Sequence, residues 1–234
     1  MKPLEQVLSR EERERIRRKA LEKGGWYSPW VHVAFPSLFG LLVAGAALSQ
    51  VRDLRPWQLG FFALVLLLAN ATEWRVHRDL LPQRFAPLGV LYHRHTPEHH
   101  LIFVSDDMSL REPREFRLVL IPVTGIVAIF LVTAPPAALF WSLGQINLAS
   151  LYLTATILYV VSYELLHLTW HLPESSRIGS LCLVRALRRH HALHHDPRLM
   201  QRWNFNVTVP LWDLVRRTCW RPPLHSASSA REAS

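Results

Sequence analysis

Between Leu118 and Tyr163 the chain contains no Lys, Arg, Asp or Glu. Two further stretches, Val31 to Val51 and Trp57 to Thr72, are also free of charge. A helix on a soluble core keeps one polar face, so charge returns every turn or two. A bilayer instead requires about 20 consecutive apolar residues per helix. The runs therefore predict an integral membrane protein rather than a soluble domain.

Four spans follow from their lengths. The first is placed at Val31 to Leu48, behind the interfacial aromatics Trp26, Tyr27 and Trp30. The second is placed at Trp57 to Thr72. The long run holds two more, at about Leu118 to Thr133 and Leu148 to His167. Pro135-Pro136 is expected to break that run, with Trp141, Gly144, Gln145 and Asn147 marking the turn. The expected fold is all-α, with four transmembrane helices and a cytoplasmic histidine-rich helical cap holding a di-metal site. Residues 1–25 read as a charged amphipathic segment, on the membrane surface or in water. Ser9 and Glu12 there have the spacing of a capping box, and Gly24-Gly25 is the expected stop. With no apolar core, this segment does not read as a cleaved signal peptide. Residues 26–220 form the membrane domain, and 221–234, rich in Ser and Ala, read as a disordered tail.

The net charge of +9 raises nucleic acid as a partner, but the placement of the charges argues against it. Eight Lys and Arg precede the first span, seven lie between spans two and three, and ten follow span four. The connector between spans one and two has only Arg52 and Arg55, and the turn between three and four has none. The positive-inside rule then puts both termini and the middle block in the cytoplasm. The excess of Arg over Lys hints at a GC-rich bacterial genome, which would make the membrane the inner one. Cys182 and Cys219 are far apart and form neither a C-x-x-C nor a disulfide framework.

Eleven of the 13 His fall in the two blocks assigned to one side; only His32 and His225 lie apart. Glu73 and His77 are four apart. The stretch from Tyr92 to His100 carries His93, His95, His99 and His100. His167 and His171 follow, then His190, His191, His194 and His195. Spacings of three and four put imidazoles on one helix face. On that basis His167 and His171 grip one ion, and His95 and His99 repeat the geometry. A lone H-x-x-x-H is an ordinary surface pair, and RRHHALHH alone could be a basic amphipathic helix on anionic lipid. Several such clusters on one membrane side, two of them abutting spans, point to metal. Imidazole suits Zn, Cu, Fe and Ni, and the number of imidazoles suits two ions.

From Glu73 to Thr218 the order of boxes resembles the fatty acid hydroxylase / sterol desaturase superfamily of membrane-bound di-iron oxygenases. The stretches that carry the resemblance are YELLHLTWHLP, HALHH, NFNVTVPLWD and RHTPEHHLIF. It implies nine metal ligands: His77, His95, His99, His100, His167, His171, His191, His194 and His195. The catalytic set among them is His167, His171, His191, His194 and His195. Asn206, Thr208, Trp212 and Asp213 match the closing signature, although the family often has Gly where Asn206 stands. The implied cofactor is two Fe ions, with Zn as a possible substitute. The implied reaction is hydroxylation or desaturation of a lipid C–H bond with O2. The chain has no dinucleotide fingerprint, Fe–S cysteine set or haem motif, so electrons would come from a ferredoxin, or from a cytochrome with its reductase.

The chain departs from the family pattern at two places. Pro82 stands where the first box has its second histidine, leaving His93 or Glu73 to replace it. Three residues rather than two separate His95 from the next histidine pair. Glu164 is expected to support the H-x-x-x-H motif from outside it, or else to cap or pair with an Arg. Two other readings are a catalytically silent relative that binds metal and lipid, and a metal transporter or sensor. The latter would need polar ligands at mid-membrane.

Overall fold

The computed structural model describes residues 8–23, 25–84 and 89–221. Among these the chain is helical apart from loops and one isolated β-bridge, Val104 to Asp107. The tail beyond 221, with His225, lies outside the described residues. Four helices are long and apolar enough to cross a membrane, as a multi-pass membrane protein requires.

Helix α1 spans Arg10–Glu22, α2 Pro29–Leu48 and α3 Pro56–Arg75. Short helices follow: α4 at Gly89–His93, α5 at His100–Ile102 and α6 at Phe116–Val119. Then come α7 at Val123–Ser142, α8 at Ile146–Trp170, α9 at Cys182–His194 and α10 at Leu211–Arg216. Two π-helical segments, Val76–Leu80 and Arg94–His99, interrupt the series.

The bundle is built around α8, which packs against α2, α3 and α7. Small residues permit the close approach. A Cβ built on Gly40 would come within 3.0 Å of Val161 Cγ2 on α8, and Ala44, Ala149 and Ala155 are buried. Thr154 Oγ1 reaches the Ala44 carbonyl at 3.4 Å. At one end Asn147 Nδ2 donates to Arg52 O at 2.6 Å, and Arg52 N donates to Asn147 Oδ1 at 3.0 Å. This ties the α2–α3 connector to the α7–α8 turn, so the remaining helix ends, and the histidine boxes, share the opposite end. The 25 residues of α8 are about 37 Å long, more than a 30 Å hydrocarbon core needs. His167 lies 21 residues after Ile146, a rise of about 31 Å, so the excess length is at the histidine end of the helix.

The long apolar run folds differently from the expectation in two ways. Leu118, Val119 and Leu120 do not begin a span; they are buried with Ile102, Phe103, Met108 and Leu110 in the core of the histidine end. Pro135-Pro136 does not break the third span, because α7 runs through both prolines to Ser142. A proline costs a helix about 3 kcal/mol, whereas opening a span in hydrocarbon strands several backbone groups at several kcal/mol each. The turn itself falls at the place expected from Trp141, Gly144, Gln145 and Asn147, at Leu143 to Gln145, where Gly144 takes φ 71° and its N–H donates to Trp141 O.

Helix α1 starts at the expected capping box, with Glu12 N donating to Ser9 Oγ and Ser9 N to Glu12 Oε2. It ends at Glu22, just ahead of the glycine pair. The helix is docked on the histidine end. Its Arg17 is buried, paired with Glu115 at 2.6 Å, and stacked on the Phe103 ring.

Candidate metal centre

Two groups of imidazoles converge at the histidine end. The larger holds His99, His167, His171, His191 and His195; the smaller holds His77, His95 and His194. Within each group the ligand nitrogens lie within 4.8 Å of one another. Eight of the nine expected ligands are thus brought together. The ninth, His100, belongs to neither group, yet its Nε2 is 3.3 Å from His95 Nε2 and its ring stacks on His195.

Several elements deliver these side chains. Helix α8 supplies His167, and His171 caps it. Helix α9 supplies His191 and His194, with His195 at its end. The i, i+4 pairs His167/His171 and His191/His195 each share the larger group, as their spacing predicts. His95 and His99 do not; each joins a different group. They sit on π-helical backbone, which advances less per residue than an α-helix, so the fourth ring onward lags instead of leading. His77 also lies in a π turn, just past α3.

The hydrogen bonds fix which nitrogen is free. His99 Nδ1 lies 2.9 Å from Leu118 O, His171 Nδ1 2.8 Å from Met108 O, and His195 Nδ1 2.8 Å from Phe103 O. His77 Nδ1 and His194 Nδ1 face Glu73 O and Trp203 O at 3.3 Å and 3.5 Å. A carbonyl only accepts, so each Nδ1 carries the proton and leaves Nε2 as a bare lone pair. Those lone pairs then face each other. Nε2 to Nε2 distances are 3.1 Å for His99–His167, 3.2 Å for His171–His191 and 3.1 Å for His191–His195. Two nitrogens bound at about 2.1 Å to one ion, 90° to 109° apart, would be separated by about 3.0 to 3.4 Å. The spacing fits a shared ion.

Unsatisfied atoms mark the same place. His77 Nε2 and His194 Nε2 are buried without a hydrogen-bond partner, as are Nδ1 of His95, His100, His167 and His191. Buried polar atoms in a folded protein are normally paired. Burial also pushes the His99 and His194 imidazoles down to about 3, and His95, His100, His171, His191 and His195 well below their ordinary value. Neutral imidazole is the form that binds metal.

The carboxylates lie behind the imidazoles. Glu73 does not replace the histidine absent at position 82. Its Oε1 accepts from Val207 N and, at 3.0 Å, Thr208 N; its Oε2 accepts from Thr208 Oγ1 at 2.6 Å and from the Tyr159 hydroxyl. His93 is exposed and stands in neither group. Glu164 accepts the Ile121 N–H at 3.1 Å, fixing the entry to α7 rather than an imidazole or an Arg. Asp213 is fully buried and accepts from Phe205 N, Asn206 N, Thr218 Oγ1 and His190 Nε2. Burial alone would raise its carboxyl; these donors lower it instead.

The signature residues act as a brace. Asn206 bonds Asn70 O and Asp213 N, Thr208 bonds Glu73, and Trp212 N donates to Asn70 Oδ1. Sequence reasoning missed Asn70, Tyr159 and Asn204. Asn70 Nδ2 reaches Tyr159 OH, Thr208 Oγ1 and Val209 O, while Asn204, at φ 59°, ties His190 O to Trp220 N. Asn70 had a legible signal, as an amide within the apolar run from Trp57 to Thr72. No family model matches this chain, and neither a curated protein nor a solved structure matches it, so its functional reading rests on the residues of this site.

Proposed function

We propose that this chain is a membrane-bound di-iron oxygenase that hydroxylates or desaturates a lipid C–H bond. The observation that carries the reading is the pair of adjacent imidazole groups, their free Nε2 atoms turned inward at the end of a four-helix membrane bundle. Imidazole donors fit iron, and two such ions side by side supply the means to reduce O2 next to an acyl chain. In hydroxylation one oxygen atom enters the C–H bond. The other leaves as water, using two electrons and two protons from a separate donor such as a ferredoxin or cytochrome.

The protein's part is to hold the lone pairs and keep water away. Backbone carbonyls orient His99, His171 and His195, and Phe103 and Phe205 pack against the rings. Tyr163, one turn before His167 on α8, lies against both His77 and His167. It therefore meets both groups from the membrane side, where a lipid chain would arrive. Zinc bound in the same groups would give no redox chemistry, so metal identity matters as much as occupancy.

The basic segments support a cytoplasmic site. Reporter fusions at Glu112 and Ser142 are expected on opposite sides; agreement between them would remove the four-span topology. The reaction is tested by comparing the lipids of a host with and without the chain. An oxygenated or newly unsaturated lipid that disappears in His171→Ala supports the proposal. The second reading, a silent relative, is favoured by the smaller group's three ligands. It predicts bound iron and an unchanged lipid profile.

A further inference from the structure

The loop between Asn204 and α10 is tied to α3 at Asn70, five residues before the helix ends at Arg75. Asn70 accepts Trp212 N at 3.0 Å and donates to Val209 O at 2.9 Å, and its carbonyl accepts Asn206 Nδ2 at 3.0 Å. Thirteen residues separate Trp57, at the far end of α3, from Asn70, a rise of about 20 Å. In a hydrocarbon core about 30 Å thick, that level is about 10 Å short of the histidine-side boundary. Tyr159, which accepts from Asn70, is likewise thirteen residues into α8. Both helices give the same depth.

Irregular backbone at that depth requires its polar groups to be satisfied by protein, and four successive N–H groups of this loop are. Glu73 takes the N–H groups of Val207 and Thr208, and Asp213 takes those of Phe205 and Asn206. The outward side chains are apolar: Val209, Leu211, Leu214 and Val215 are 44% to 56% exposed. Helix α10 then climbs away. Arg216 stacks on Trp74, one turn above Asn70, and the exposed Arg217 follows. By the same rise that level is about 4 Å short of the boundary, a distance that a long arginine side chain spans by reaching toward the headgroups.

We infer that residues 205–215 form a wedge that dips into the histidine-side leaflet and re-emerges at Arg216. Its Val209, Leu211, Leu214 and Val215 face lipid acyl chains. The inference rests on the four spans and is independent of the metal chemistry. The wedge also joins lipid to the site, because Thr208 and Val207 hold Glu73, one helical turn before His77.

The test is spin-label accessibility in lipid nanodiscs, in a Cys182→Ser, Cys219→Ser background. Labels at Val209→Cys, Leu214→Cys and Val215→Cys are compared with Leu42→Cys, on the exposed face of α2, and Arg52→Cys, in the connector. The wedge labels should match Leu42→Cys, with high collision with O2 and at least about five-fold less with chromium oxalate than Arg52→Cys. Strong chromium oxalate collision would put the segment in water and overturn the inference. Protection from both reagents would show a protein partner, such as a second copy, and overturn it equally. Should a labelled variant fail to fold, the unaltered chain is probed with a phospholipid carrying a diazirine at mid-acyl chain. Cross-links on residues 209–215 are expected; their absence, with cross-links on α2 present, contradicts the wedge.

Discussion

The two imidazole groups are neighbours that share two stretches, the one with His95 and His99 and the one with His191, His194 and His195, yet they differ in supply. The larger draws five histidines, three with Nδ1 bonded at 2.8 to 2.9 Å to backbone carbonyls. The smaller draws three, and its orienting contacts, at His77 and His194, are longer at 3.3 Å and 3.5 Å. His95 has no such contact, and in the larger group His167 and His191 lack one as well, so the difference lies in ligand number and in the length of the contacts that are made. Ligand number and orientation both set metal affinity, so the larger group should fill first and hold harder. The shortfall coincides with Pro82, which follows the π turn carrying His77. The lesson is that His77 is placed without help from a histidine at position 82: Glu73, one turn before it, is held by Val207 and Thr208 of the loop.

The largest expected effect is on the larger group. His171→Ala removes a nitrogen that lies 3.2 Å from His191 Nε2 and takes one donor from the larger group. Affinity for the tight ion should fall at least about 100-fold, since even outer supporting residues are worth 10–100-fold. Competition with a chromophoric chelator measures it, and an unchanged constant would remove His171 from the ligand set. Pro82→His probes the other side of the comparison. It should strengthen the weaker ion about 10-fold while leaving the tight one alone; an equal change at both would mean the two groups are not separate sites. His77→Ala should abolish the weaker ion and keep the tight one. The smallest effect is expected for Glu73→Gln, which keeps the shape but weakens the acceptor for Thr208 and Val207. The weaker ion should then lose several-fold in affinity, roughly the lower end of the outer-residue range.

The sequence carried the bundle well, because charge-free runs are a direct consequence of hydrocarbon. It also carried the gathering of the imidazoles: eight of the nine histidines singled out by spacing and resemblance fall into two groups that could hold a metal ion. It misplaced elements where tertiary context outweighed local rules. Leu118 to Leu120 look like membrane but fill the core of the histidine end, and composition cannot tell two apolar surroundings apart. Pro135-Pro136 look like a break, but hydrocarbon penalises a break more than a proline. The assignment of His95 and His99 to separate groups depends on a π-helical turn, which has no clear signature in residue type. Glu73 looked like a spare ligand four residues before His77; only its contacts with Val207, Thr208 and Tyr159 reveal a brace.

The most direct test of the account is iron titration of the purified, anaerobic protein, with stoichiometry read by elemental analysis and donor type by X-ray absorption. The account predicts two ions per chain in two affinity steps, the tighter surrounded by imidazole nitrogen at about 2.1 Å. Binding of no ion would contradict it, as would two ions taken up with equal affinity or a first shell dominated by carboxylate oxygen.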